Sequence, residues 1–186
     1  MVVMIVLSDG FEKNREAYKK FFAGNSECSI EECKEIFEAI EKYLTMHDDE
    51  DSYDFEDYDD ELWEFLYERN EQLILFFKKD LEKQGLARKT IKRHLSNIDI
   101  FLNGYCAHEN IKDIAEGAHS TYGFSYYCTY DLGATYGTLR TAMSSVKKFY
   151  SFLLSCGLIT ERDFEQLKID IKESMQEWRE DGKVCM

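Results

Sequence analysis

Not one of the 186 residues is proline. Proline is the strongest helix breaker, because it lacks the backbone N–H and its ring clashes with the carbonyl four residues back. A chain without it can run long helices unbroken, and the apolar spacing fits that. Ile91, Leu95, Ile98, Leu102 and Tyr105 recur at steps of 4, 3, 4 and 3, the period that lines one helix face. Leu139, Ala142, Met143, Val146, Phe149 and Leu153 do the same over 138–155. Strand-like alternation is nearly absent. The expected fold class is all-α, a helical bundle. With 44% hydrophobic and 15% aromatic residues, the chain can build a packed core.

Along the chain, 11–23 reads as a short helix ended by Gly24-Asn25-Ser26. Ser29-Ile30-Glu31-Glu32 forms a capping box, in which Ser29 accepts from the Glu32 N–H and Glu32 reaches back. Cys33, Ile36, Phe37, Ile40 and Leu44 follow at helical spacing. Residues 1–46 are therefore expected to form an N-terminal helical hairpin. A helix over 62–81 stops at Gly85, and a second spans about 88–106. The glycine-bearing region 107–137 is expected to hold one short helix and another around 118–131, its glycines marking turns or close packing. Thr160-Glu161-Arg162-Asp163 caps a last helix whose core face is Phe164, Leu167, Ile171, Met175 and Trp178.

Charge is uneven. Residues 1–46 carry 6 basic and 9 acidic side chains, 47–61 carry 10 acidic and none basic, and 62–186 carry 17 basic and 18 acidic. The net −14 is thus mostly one segment. Such a block repels itself and reads as a solvated acidic linker between the hairpin and a domain over 62–186. Tyr53, Phe55 and Tyr58 interrupt it, which suits a segment that meets a basic protein partner. Within 78–93 the balance reverses to seven basic residues against Asp80 and Glu82. Arg88 and Lys92 stand one turn apart, as do Lys89 and Arg93, all off the apolar stripe. A basic helix face of this kind is what phosphate contact requires.

Gly85-Leu86, Thr90-Ile91, Val146 with Phe149-Tyr150-x-Phe152-Leu153, and Gly157-Leu158-Ile159 together resemble the core-binding, SAM-like domain of tyrosine recombinases of the phage-integrase type, over roughly 62–160. The chain departs from that pattern in three places. Ala87 stands where serine is usual, Thr160-Glu161-Arg162-Asp163 replaces the Asn-Pro leading into the catalytic domain, and no histidine has an arginine three residues on. The resemblance implies a helical binding module without the catalytic domain. It also implies that the second and fourth helices face DNA, which makes Arg88, Lys89, Lys92, Arg93, Ser144, Lys147 and Lys148 the DNA-binding candidates. The acidic segment 47–61 would then compete with phosphate for the basic patch.

Other chemistry finds little footing. The acidic block lacks the glycine and glutamate spacing of a calcium loop. Cys106, His108, His119 and Cys128 match no standard zinc spacing, and the six cysteines include no CxxC pair. There is no phosphate loop and no nucleophile elbow. Neither a catalytic site nor a cofactor is expected. The run Val2–Leu7 lacks a basic flank and a cleavage site, and no segment is long enough to span a membrane. The expectation is a cytoplasmic, non-catalytic module: a DNA-binding accessory or regulatory protein, or else an acidic protein-interaction module or DNA mimic. Tyr122, Tyr126, Tyr127, Tyr130 and Tyr136 can stack bases or a partner, or serve as core and amphipathic surface.

Overall fold

The computed structural model describes residues 60–181. The chain divides into two compact units, Met1–Leu73 and Ile74–Met186. The hairpin expected over 1–46, and the acidic segment up to residue 59, lie outside the described residues. Those residues are helical, with no strand among them. Six α-helices run in order: α1 (Asp60–Lys83), α2 (Arg88–Asp99), α3 (Ile114–Ala118), α4 (Thr121–Tyr126), α5 (Tyr136–Ser155) and α6 (Glu161–Asp181). Two π-helical stretches, Ile100–Cys106 and Tyr127–Asp131, extend α2 and α4. The all-α class is as expected, and among the described residues no helix is long and apolar enough to cross a membrane.

Two Gly-Leu pairs stop helices in the same way. Gly85 (φ +73°) and Gly157 (φ +68°) hold the left-handed conformation that side-chain-bearing residues avoid. After α1, the Leu86 N–H reaches the Leu81 carbonyl at 3.3 Å and that of Gly85 reaches Glu82 at 2.9 Å. After α5, Leu158 to Leu153 is 3.0 Å and Gly157 to Leu154 is 2.9 Å. Both are Schellman caps, which satisfy carbonyls the helix would otherwise leave open. Asn110 (φ 57°) does the same after the first π stretch.

In the second unit α5 is the central element. It packs against α2 on one side and α6 on another, and α3 and α4 also rest on α6. Leu139, Ala142, Met143, Val146, Phe149 and Leu153 are all buried, as their period predicts. Phe149 meets the rings of Phe77, Tyr150 and Phe152. Phe101 meets Tyr105, Phe124 and Tyr150. The Tyr150 hydroxyl donates to the Ile114 carbonyl at 3.0 Å. A Cβ on Gly117 would stand 2.5 Å from that hydroxyl, so glycine there is a matter of space.

Two expectations shift. The helix expected over 88–106 is α-helical only to Asp99. Its wider π turn brings Phe101, Leu102, Tyr105 and Cys106 all into the core, while Leu95, read as part of the stripe, is half-buried. On α6 only Leu167 of the five expected core residues is fully buried, and Phe164, Ile171, Met175 and Trp178 are half-buried. This helix covers the bundle from outside, so its apolar face keeps a wet edge.

Candidate nucleic-acid interface

Helix α2 begins at Arg88 with Ala87 as its cap, and no side chain completes that cap. Its inner face, Ile91, His94 and Ile98, is buried. Four basic candidates, Arg88, Lys89, Lys92 and Arg93, occupy the outer face, and all are exposed. On α5 the inner face takes Ala142, Met143, Ser145, Val146 and Phe149, leaving Ser144 and Lys147 exposed. The candidates thus sit on two helices that pack against each other.

What joins the two helices is polar. Ser145, fully buried, has three partners: the Thr141 carbonyl at 3.0 Å, His94 Nδ1 at 2.9 Å and Asn97 Nδ2 at 2.8 Å. A hydroxyl has one proton and two lone pairs. All three bonds are made when Ser145 donates to Thr141 and accepts from both Asn97 and His94. That assigns the His94 proton to Nδ1 and leaves Nε2 an acceptor in the neutral ring. Asn97 Nδ2 also approaches the Thr141 carbonyl at 3.4 Å. The pKa of His94 is lowered from 6.5, first by burial and then by the positive charges of Arg93 and Lys148. Of these two cations, Arg93 belongs to α2 and Lys148 to α5.

Lys148 differs from the other candidates. It is half-buried, and its Nζ donates to Gln84 Oε1 at 2.7 Å. Gln84 in turn donates to Asp80 Oδ2 at 2.6 Å. Lys148 therefore ties α5 to the end of α1 and presents less of its charge outward. His94, Asn97 and Ser145 were not among the sequence candidates. Their signal was present as His94 and Asn97 at i,i+3 facing Thr141 and Ser145 at i,i+4, polar pairs at helix-neighbour spacing on otherwise apolar faces.

The tyrosines divide by face. Tyr127 turns toward the core rings of Tyr105 and Phe124. Tyr122, Tyr126 and Tyr130 line up against α6, where Tyr126 and Tyr130 meet the ring of Trp178. The Trp178 indole N–H donates to Ser125 Oγ at 3.0 Å. Cys106 and Cys128 are buried, and burial pushes the Cys128 thiol up to about 12, so it is no nucleophile at neutral pH. Among the described residues no group of three or more His, Cys, Asp and Glu side chains is arranged to hold a metal. In comparisons with known proteins, no family model, curated protein or solved structure matches the chain.

Proposed function

We propose that this chain is a non-catalytic helical binding module, akin to a stand-alone recombinase core-binding domain, that holds duplex DNA along its α2–α5 edge in an accessory or regulatory role. One observation supports this above the rest. The His94–Ser145–Asn97 seam ties α2 to α5, and Arg88, Lys89, Lys92, Arg93, Ser144 and Lys147 are exposed on these two neighbouring helices. Fixed cations on a rigid edge meet the spacing of backbone phosphates at less entropic cost than cations on a mobile tail.

The test is salt-dependent binding to random-sequence duplex. Each neutralised phosphate releases a counterion, so affinity falls with salt at a slope of about 0.9 per contact. The triple variant Lys92→Glu, Arg93→Glu, Lys147→Glu should bind far more weakly and lower that slope by about three. No binding by the unaltered chain at low salt rejects the proposal. The second reading is an acidic protein-interaction module or DNA mimic. It is favoured by the ten carboxylates of 47–61, where Tyr53, Phe55 and Tyr58 are interleaved.

A further inference from the structure

Of the six large hydrophobic side chains exposed among the described residues, four fall between 122 and 136: Tyr122, Tyr130, Leu132 and Tyr136. Tyr130 is the most open, at 72% exposure. This is no scatter of single residues. Tyr122, Tyr126 and Tyr130 are spaced at i, i+4 and i+8, and their rings form a ladder. Tyr122 to Tyr126 is 5.2 Å, and Tyr126 to Tyr130 is 5.7 Å in a stacked pair. Trp178 meets Tyr126 and Tyr130 edge-on at 5.2 and 5.6 Å, and its bond to the buried Ser125 anchors it. A contiguous aromatic surface of this kind marks a contact site.

A carboxylate sits on the ladder. Tyr122 donates to Glu177 Oε2 at 2.6 Å and Tyr126 to Glu177 Oε1 at 3.0 Å. The hydrogen bond to Glu177, the largest cause, pushes the Tyr122 pKa well up, so that phenol stays a donor at neutral pH. Each carboxylate oxygen still has a second lone pair. Glu173 and Glu180 stand one turn either side of Glu177. Helix α6 as a whole carries eight acidic residues against four basic. The described cation–π contacts, Lys79 over Phe76 and Lys168 over Phe164, involve none of these rings.

We propose that the α4–α6 face is a docking surface for an arginine-bearing segment of a basic partner protein, with a guanidinium stacked on Tyr130 and paired to Glu177. Charge decides between the two ligands an aromatic ladder suits. Bases stack on tyrosine equally well, but a nucleic-acid backbone would bring phosphates to Glu177 and the acidic face of α6. A cationic peptide brings the complementary charge. Arginine suits the site better than lysine, because its planar guanidinium can lie on a ring and still offer paired N–H donors to a carboxylate. This surface lies on helices other than α2, and the proposal does not depend on DNA binding.

The chain has two tryptophans, Trp63 and Trp178, so the indole N–H resonances of the full chain give a local readout. Trp178→Phe identifies the signal. Titration with the peptide acetyl-Arg-Gly-Arg-Gly-Arg-amide should move the Trp178 resonance to saturation. The lysine counterpart should bind several-fold more weakly. Tyr130→Ala, at an exposed ring, and Glu177→Gln, nearly isosteric, should each weaken the arginine peptide by about fivefold or more. A Trp178 signal that stays still at millimolar peptide overturns the proposal, even if the peptide binds elsewhere on the chain. So does wild-type affinity in both variants. A larger Trp178 response to a short oligothymidylate than to the peptide replaces it with a base-stacking surface.

Discussion

Ser145 sits between α2 and α5, and Ser125 sits between α4 and α6. Both are fully buried, and each gives its hydroxyl proton to a carbonyl of its own helix, Thr141 in one case and Tyr122 in the other. That turns the serine oxygen into an acceptor facing the neighbouring helix. Ser145 takes N–H groups from His94 and Asn97, whereas Ser125 takes the indole N–H of Trp178. The same small device thus joins two helix pairs with different outer surfaces, one basic and one aromatic and acidic. The difference lies in the donor. An indole keeps its proton across the working pH range, while an imidazole gains or loses one within it. The basic edge is therefore coupled to pH through its foundation, and the aromatic face is not.

Phe101 lies where the two regions meet, with its ring against Phe124 of α4 and Tyr150 of α5. Phe101→Ala should cost about 3–5 kcal/mol, since a fully buried ring leaves a cavity that the bundle fills only in part. Urea unfolding followed separately by tryptophan fluorescence, in a Trp63→Phe background that leaves Trp178, and by far-UV dichroism measures it. Coincident transitions mean the two helix pairs stand or fall together. Separated transitions would show that they are independent, and the comparison would then concern two bodies.

The serines come next. Ser145→Ala strands two donors and should cost about 1–3 kcal/mol. Ser125→Ala strands one, on a half-buried indole with some access to water, and should cost about 1 kcal/mol. Equal losses in urea titrations would break the comparison. The pH dependence sharpens it. Burial and the nearby Arg93 and Lys148 hold the His94 pKa below 6.5, so the unfolded chain takes up a proton that the folded chain resists. Above about 6.5 both states are neutral at this ring and it contributes no slope. As pH falls below that value, stability should drop until the folded-state pKa is passed. His94→Gln should flatten this fall between about pH 6.5 and 5.5, above the carboxylate range. A slope unchanged by that substitution would remove His94 from the account.

The helices were legible in the sequence because their signals are local. The inner face of α5, the Gly-Leu stops after α1 and α5, and the Thr160–Asp163 cap each depend on residues a few places apart. The cap is reciprocal, as such a pair requires: the Asp163 N–H donates to Thr160 Oγ1 at 3.2 Å, and the Thr160 N–H donates to Asp163 Oδ2 at 3.0 Å. The π turn at Ile100–Cys106 was not legible, since only the packing of Phe101 against Phe124 and Tyr150 shows why a wider turn serves there. The basic candidates of α2 and α5 were named from the family resemblance, with charge supporting those of α2, and Lys148 was placed with them although its bond to Gln84 spans 64 residues. The Ser145 seam and the Glu177 ladder were missed for the same reason. Their partners lie about 50 residues apart in the chain, and no periodicity connects them.

The smallest effect concerns how α2 and α6 begin. Helix α6 opens on the Thr160–Asp163 pair, and Asp163 is held below the usual carboxylate range by hydrogen bonds from Thr160 against the opposing effect of its partial burial, with His119 3.2 Å away adding to the depression. Helix α2 opens on Ala87, which has the extended backbone of a cap (φ −62°, ψ 142°) but no side-chain oxygen. Its carbonyl already takes the Thr90 and Ile91 N–H groups at 2.8 and 3.0 Å, while the first-turn N–H groups have no side-chain acceptor from position 87. Ala87→Ser supplies an oxygen without altering the backbone, and should raise stability by about 0.5–1 kcal/mol. Thr160→Ala should lower it by a similar amount. If serine at 87 also tightens duplex binding, the start of α2 is part of the surface that meets phosphate. If it raises stability and leaves binding alone, the start of α2 is no part of such a surface.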